Sequence, residues 1–220
     1  MLFDLTSLQR EANSRFGFSA KTTLALAQTL YEKHKALTYP RTDSRALPED
    51  TRGMVKKTLQ TLAQHNAYVP FANQILDQGW VKPNRRIFNN AKISDHFAII
   101  PTTQAPKSLN DAEQKLYDFV VKRFLAVFFP AAEYLLTTRI TDIVGHCFKT
   151  EGKILTAPGW LQVYGRNVHD ANEMLVPIAQ GEIVRTDAIE AHKLTTKPPA
   201  RYTEATLLSA MEGARKLVQK

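Results

Sequence analysis

The 220 residues hold one cysteine, Cys147, which excludes an internal disulfide framework and any zinc site built on cysteines. No apolar run approaches the roughly 18 residues that a membrane span requires. The opening Met1-Leu2-Phe3-Asp4 has neither a basic flank nor an apolar signal core, so a secreted precursor is not expected. The expectation is a soluble chain of a reducing compartment, the cytoplasm, without membrane contact. A phosphate loop of the form G-x-x-x-x-G-K-[ST] is missing, which leaves ATP use in this chain unsupported. So are H-E-x-x-H and G-x-S-x-G. The six histidines are scattered and no tight Asp-x-Asp pair occurs, so no metal site and no cofactor is expected here.

The first half is also short of acid. Residues 1–110 carry 15 basic and 8 acidic side chains, whereas residues 111–220 carry 14 and 13. The formal net charge of +8 therefore sits almost wholly in the N-terminal half. Such a half favours a polyanionic partner, and nucleic acid is the usual one. A basic solvated surface without a specific partner stays open on composition alone. The hydrophobic fraction of 44% and charged fraction of 23% are those of a folded chain, not a disordered tail.

Periodicity divides the chain. Leu5, Leu8, Ala12 and Phe16 fall three or four apart, one stripe of a helix that Gly17 ends. Ser19 suits the cap of a second helix, with Leu24, Ala27, Leu30 and Tyr31 inward. The pattern stops at Lys35–Pro40, where an extended piece is expected. Pro48 suits the first turn of a third helix running to about His65, with Met54, Leu59 and Leu62 inward. A short helix follows at about Tyr68–Leu76. Residues 79–92 read as a loop with four basic residues, no acid and two aromatics. Phe97–Ile100 reads as a short apolar strand closed by Pro101. Asn110, with Glu113 three residues on, starts a strong helix carrying Leu116, Phe119, Val120, Phe124 and Val127 and stopping at Pro130.

Beyond Pro130 the texture turns to strand. Tyr134–Val144, His146–Thr156, Trp160–Tyr164 and Glu182–Leu194 are expected strands, rich in β-branched residues and broken at Gly145, Gly152 and Pro158-Gly159. Pro198-Pro199 is a stiff connector, and Thr203 suits the cap of a last helix to about Gly213. The expected fold class is α+β: a helical domain over 1–130, a partial β-rich domain over 131–195, and the start of a further helical domain over 196–220.

Two segments carry chemistry. In Leu37-Thr38-Tyr39-Pro40-Arg41-Thr42-Asp43-Ser44-Arg45, Pro40 biases Tyr39 toward an extended conformation. Residues two apart then point the same way, so Tyr39 and Arg41 share a face with Asp43 following. A phenol is a poor nucleophile at its ordinary pKa of about 10, and a neighbouring guanidinium favours the phenolate. The same guanidinium can fork onto a phosphate and stabilise its transition-state charge. Spacing alone does not separate this from a tyrosine packed in a turn. In the second segment, Lys92 to Thr102, His96 lies between polar and apolar stretches. It could donate to Asp43 or Asp95, which would fix its tautomer and leave the other nitrogen for a phosphate. A histidine bonded at a core edge is the competing reading.

Together these segments resemble type IA DNA topoisomerases. The Tyr39 segment, then Ser94-Asp95-His96-Phe97-Ala98-Ile99-Ile100-Pro101-Thr102, then Lys197-Pro198-Pro199-Ala200-Arg201-Tyr202-Thr203-Glu204-Ala205 stand in that family's order. Leu5-x-x-Leu8-Gln9-x-x-Ala12 and Arg15-Phe16-Gly17-Phe18-Ser19-Ala20 look like its stretch upstream of the nucleophile. The Tyr-Pro-Arg form is closer to the topoisomerase III branch than to topoisomerase I.

The resemblance implies that Tyr39 attacks one DNA strand and stays on its 5′ end, assisted by Arg41, with His96 in the active site and Asp43 as its partner. It implies a helix-turn-helix-like nucleophile domain, then part of a β-rich arch that hinges about a DNA gate. It implies magnesium in the full-length enzyme, held by acidic residues of an N-terminal domain that nothing here matches. The chain is thus expected to be an internal piece, inactive alone, whose partners are single-stranded DNA and the enzyme's remaining N- and C-terminal parts. The nucleoid is the expected location. In loop 79–92, Lys82, Arg85, Arg86 and Lys92 are expected on phosphates with Arg45, and Trp80 or Phe88 on a base. An incomplete sheet is expected to leave an open edge for self-association.

A non-catalytic basic module that binds single-stranded nucleic acid is the alternative. A tyrosine recombinase would need several arginines with a His-x-x-Arg cluster, and a relaxase a histidine triad. The sequence has neither.

Overall fold

In the computed structural model, which describes residues 1–65, 67–165 and 175–214, the apolar stripes become helices at the spacing expected. Helix α1 spans Leu5–Phe16 and α2 spans Ala20–Glu32. Asp4 opens α1 by accepting the Ser7 amide at 2.7 Å, and Ser19 opens α2 by accepting the Thr22 amide at 3.0 Å. The buried face of α2 is Thr23, Ala27 and Leu30. Thr23 goes inward because its hydroxyl donates back to the Ser19 carbonyl at 2.9 Å, so no polar group is stranded. Leu24 and Tyr31 are only half-buried. Tyr31 faces the ring of Tyr39 instead of the core.

Helix α3 spans Arg52–Leu62, starting four residues after Pro48. The bridge between Leu47 and Phe88 holds the chain extended, with the Leu47 amide on the Ile87 carbonyl at 2.7 Å. The Glu49 amide is taken by Asn90 Oδ1 at 3.0 Å. Pro48 therefore sits in the preceding turn. Val55, Thr58, Leu59 and Leu62 point inward, and Met54 only partly so. Helix α4 spans Val69–Asp77, and α5 spans Asp111–Ala126. The reciprocal Asn110–Glu113 cap of α5 is made, both bonds at 2.9 Å. The helix ends before Val127, and Phe128 and Phe129 turn back into the core.

That core gathers Leu8, Leu30, Leu59, Ile75 and Phe124 around Phe3, whose ring lies 5.0 Å from that of Phe119. Each such side chain contributes about 1.5–3 kcal/mol when fully buried. No regular strand forms at Phe97–Ile100. The segment crosses the core as isolated antiparallel bridges, Phe3 with Ile99 and Leu37 with Pro101.

The β region is one hairpin. Strand β1, Glu133–Ile143, pairs antiparallel with β2, His146–Ala157. Val144 and Gly145 both have positive φ, 52° and 79°, the turn that matches a hairpin's twist. The expected strand at Trp160–Tyr164 is instead a 3-10 helix, Gly159–Tyr164, packed under α5. Its entry is so close that a Cβ on Gly159 would lie 2.4 Å from the Ala131 carbonyl oxygen. Glu182–Leu194 forms no strand and lies exposed. Both outer edges of the hairpin are unpaired among the described residues.

Helix α6, Glu204–Glu212, is capped by Thr203 and returns to the first body. The Ala205 amide donates to Asn13 Oδ1 at 3.2 Å, and Arg10 pairs with Glu212 at 2.8 Å. The fold class is α+β. No helix among the described residues is long and apolar enough to cross a membrane.

Candidate active site

The extended segment after Tyr39 alternates strictly. Pro40, Thr42, Ser44 and Ala46 are buried, while Arg41 and Asp43 are exposed and Tyr39 and Arg45 half-buried. Proline at 40 prevents helix, and small side chains at every second position let the segment lie flat on the core. The buried hydroxyls then clamp the second segment. Thr42 Oγ1 donates to the His96 carbonyl at 2.8 Å, and Ser44 Oγ donates to the Lys92 carbonyl at 2.8 Å. Thr38 Oγ1 donates to the Ala98 carbonyl at 3.0 Å and accepts the Ile100 amide at 2.9 Å. The N-terminus is tied in as well, with the Leu5 amide on the Thr42 carbonyl at 3.0 Å.

This clamp sets His96 against Tyr39. Their ring centroids are 4.3 Å apart with 45° between planes. Tyr31 flanks Tyr39 on another side, 5.4 Å away and edge-on at 80°. The three rings line an open cleft of about 410 Å³ together with Lys35, Thr38 and Phe97. Its lining contains no acidic residue. Arg41, on the same outward face as Tyr39, makes no salt bridge among the described residues. A phenol beside an imidazole, with an unpaired guanidinium two residues on, can present a nucleophilic oxygen to a phosphate and neutralise that phosphate's charge.

Asp43 does not orient His96. Its Oδ1 accepts the Ser94 hydroxyl at 3.0 Å, and the His96 ring bonds no carboxylate among the described residues. Arg45 is half-spent on structure, because its Nε donates to the Leu2 carbonyl at 3.1 Å. Phe88 is a further correction. It is 3% exposed, stacked near Phe128 at 6.4 Å, and offers no face to a base. The backbone bridge to Leu47 holds it inward. Trp80 is half-buried against Phe129 at 5.0 Å. Lys82, Arg85, Arg86 and Lys92 are exposed.

Spacing arguments missed Thr38, Thr42 and Ser44, as well as Tyr31 and Lys35. The available signal was hydroxyl residues at alternate positions of an extended piece, facing a second segment rich in free carbonyls. Among the described residues no group of three or more His, Cys, Asp or Glu side chains could hold a metal ion. The resemblance assigns magnesium to acidic residues of the enzyme's N-terminal domain, and the described residues here offer no such cluster.

A family model described as DNA topoisomerase matches residues 1–215. The chain belongs to the DNA topoisomerase family. It is 45% identical over 225 residues to DNA topoisomerase 3 of Bacillus licheniformis, covering 99% of this chain and 31% of that protein. It is 43% identical over 226 residues to DNA topoisomerase 3 of Bacillus subtilis, with the same coverage. The full-length topoisomerase I structure from Thermotoga maritima superposes with a TM-score of 0.68 at 28% identity, covering 96% of this chain and 34% of that one. The chain spans about a third of the length of the curated relatives it matches. It is a topoisomerase III-like member of the type IA group.

Proposed function

We propose that this chain carries the strand-cleaving centre of a type IA DNA topoisomerase. The Tyr39 hydroxyl oxygen attacks a backbone phosphorus of one DNA strand. A bond from phenolic oxygen to phosphorus forms as the bond from phosphorus to O3′ breaks. The phenol gives up its proton, and the departing O3′ takes the electron pair and a proton. The 5′ end stays on Tyr39 while another strand passes. Attack by the 3′ hydroxyl then reverses the step and reseals the strand. The phosphotyrosine link keeps the phosphodiester's bond energy, so no ATP is needed. Arg41 meets the phosphate charge. His96, held by the Thr42 clamp, borders the reacting oxygen.

The observation that carries this reading is the Tyr39–His96 pair at 4.3 Å in a cleft without acid, with Arg41, which makes no salt bridge among the described residues, two residues along the chain. The 220 residues alone bind single-stranded DNA weakly and neither cut nor relax it, because the family's remaining domains complete the pocket. The unpaired edges of β1 and β2 are available to other strands of the enzyme or to a second copy. Trapping a covalent protein–DNA adduct with the whole enzyme tests the reading. Binding without any adduct would favour a non-catalytic single-strand-binding module instead.

A further inference from the structure

The cleft beside Tyr39 contains a cation that the cleavage chemistry above does not use. Lys35 lines it directly, its Nζ 5.7 Å from the centroid of Tyr31. It makes no salt bridge among the described residues, and no acidic residue lines the cleft to compensate it. Its backbone is fixed. The Lys35 carbonyl accepts the Thr102 hydroxyl at 2.6 Å, and the next residue, Ala36, donates its amide to the Leu30 carbonyl and accepts the Thr102 amide.

The backbone at Lys35 has φ of 54°, the left-handed region. That conformation follows from the exit of α2, where glycine or asparagine is the favoured residue. A lysine there is unfavourable for the fold, and such outliers persist where the side chain has a use. An uncompensated ammonium at the wall of a cleft, next to a tyrosine, fits a phosphate.

We propose that Lys35 is a DNA-binding residue of this site: it holds a backbone phosphate neighbouring the one that Tyr39 attacks, on the Tyr31 side of the cleft. The ligand's identity rests on the cleavage reading above. Arg41 and Lys35 then grip the strand on the two sides of the reacting oxygen. Lys35 makes no bond to a reacting atom, so it positions the strand.

The test is binding of a fluorescent oligothymidylate to the 220-residue chain over a range of salt. Lys35→Asn removes the charge and tolerates the positive φ; Lys35→Arg keeps the charge. Each phosphate contact on a single strand contributes about 0.7 to the log–log salt slope. The slope for Lys35→Asn should fall by about that amount, and Lys35→Arg should retain the wild-type slope. Acetylation of the wild-type chain should show Lys35 protected by saturating oligonucleotide. A lysine that only complements the α2 dipole would give a different pattern: Lys35→Asn unfolding at lower denaturant, an unchanged slope and no protection. That pattern overturns the proposal while leaving the Tyr39 adduct untouched. A wild-type chain that binds no oligonucleotide overturns it as well. Lys35 protected in a chain whose whole enzyme forms no adduct would retain the binding site and remove the cleavage reading.

Discussion

The hydroxyl of Thr42 donates to the backbone carbonyl of His96 at 2.8 Å, across 54 residues of sequence. Thr42 is buried, and its oxygen also accepts the Ser44 amide at 3.1 Å. This oxygen is one of several that join the tyrosine segment to the histidine segment, with those of Ser44 and Thr38. The bond fixes the His96 backbone, from which the ring reaches Tyr39.

Thr42→Val keeps the shape and removes the hydroxyl. It leaves the His96 carbonyl and the Ser44 amide without this partner, a loss of about 1–3 kcal/mol for buried polar groups. Urea unfolding of the 220-residue chain should show a lower midpoint, with the free energy of unfolding reduced by that amount. Thr42→Ser should recover most of it, because the hydroxyl returns.

Phe88 and the basic loop should separate cleanly. Phe88→Ala should cost about 3–5 kcal/mol of stability, as for a buried aromatic. Replacing Lys82, Arg85 and Arg86 together by alanine should leave the unfolding midpoint nearly unchanged, because all three are exposed. The triple variant should instead weaken oligonucleotide binding and flatten its salt slope by about 2. Unfolding and binding curves for both variants check the pair.

The hairpin turn carries strain that can be relieved. Val144 sits at φ of 52°, where a β-branched side chain crowds the backbone. Val144→Asn should stabilise the β1–β2 pairing by about 1 kcal/mol, the scale of the left-handed penalty. Hydrogen exchange of the strand amides reads this directly. Slower exchange across β1 and β2, with α5 unchanged, is the expected result.

Alkali should unfold the helical body through its buried phenols. Burial pushes the Tyr117 phenol up to about 12 from its ordinary 10.0. Burial and the neighbouring Asp118 carboxylate raise Tyr68 further in the same direction. A phenol raised in the folded state contributes its stability in full below pH about 10 and loses it as pH climbs toward the folded value. For Tyr117 alone the loss is about 2–3 kcal/mol, two units of pKa. Denaturant midpoints should be flat through neutral pH and fall above about 10. Tyr117→Phe should flatten that fall.

Helices α1, α2 and α5 were legible because stripe and cap agree within each of them. Ser19, the Asn110–Glu113 pair and Thr203 each cap the helix expected of them. Strands were less legible. Trp160–Tyr164 has strand composition, yet the tight crossing at Gly159 and the burial of Leu161 and Val163 favour a 3-10 helix. Glu182–Leu194 is β-branched in part, but it has no partner strand among the described residues. The start of α3 was displaced by bonds to Ile87 and Asn90, which no local rule reveals. At the site, alternation after Pro40 was readable, and so was the outward face of Tyr39, Arg41 and Asp43. The pairing of Tyr39 with His96 was not readable from spacing, because it depends on hydroxyl bonds between distant segments. The family's ordered motifs carried that link.

Tyr39→Phe in the whole enzyme tests the central assignment most directly. It removes one oxygen and leaves the ring between Tyr31 and His96. Incubation with single-stranded DNA followed by denaturation should trap a covalent adduct with the wild type and none with the variant. Binding of the same strand should differ little between them. An adduct of normal yield from Tyr39→Phe would place the nucleophile elsewhere and contradict the assignment.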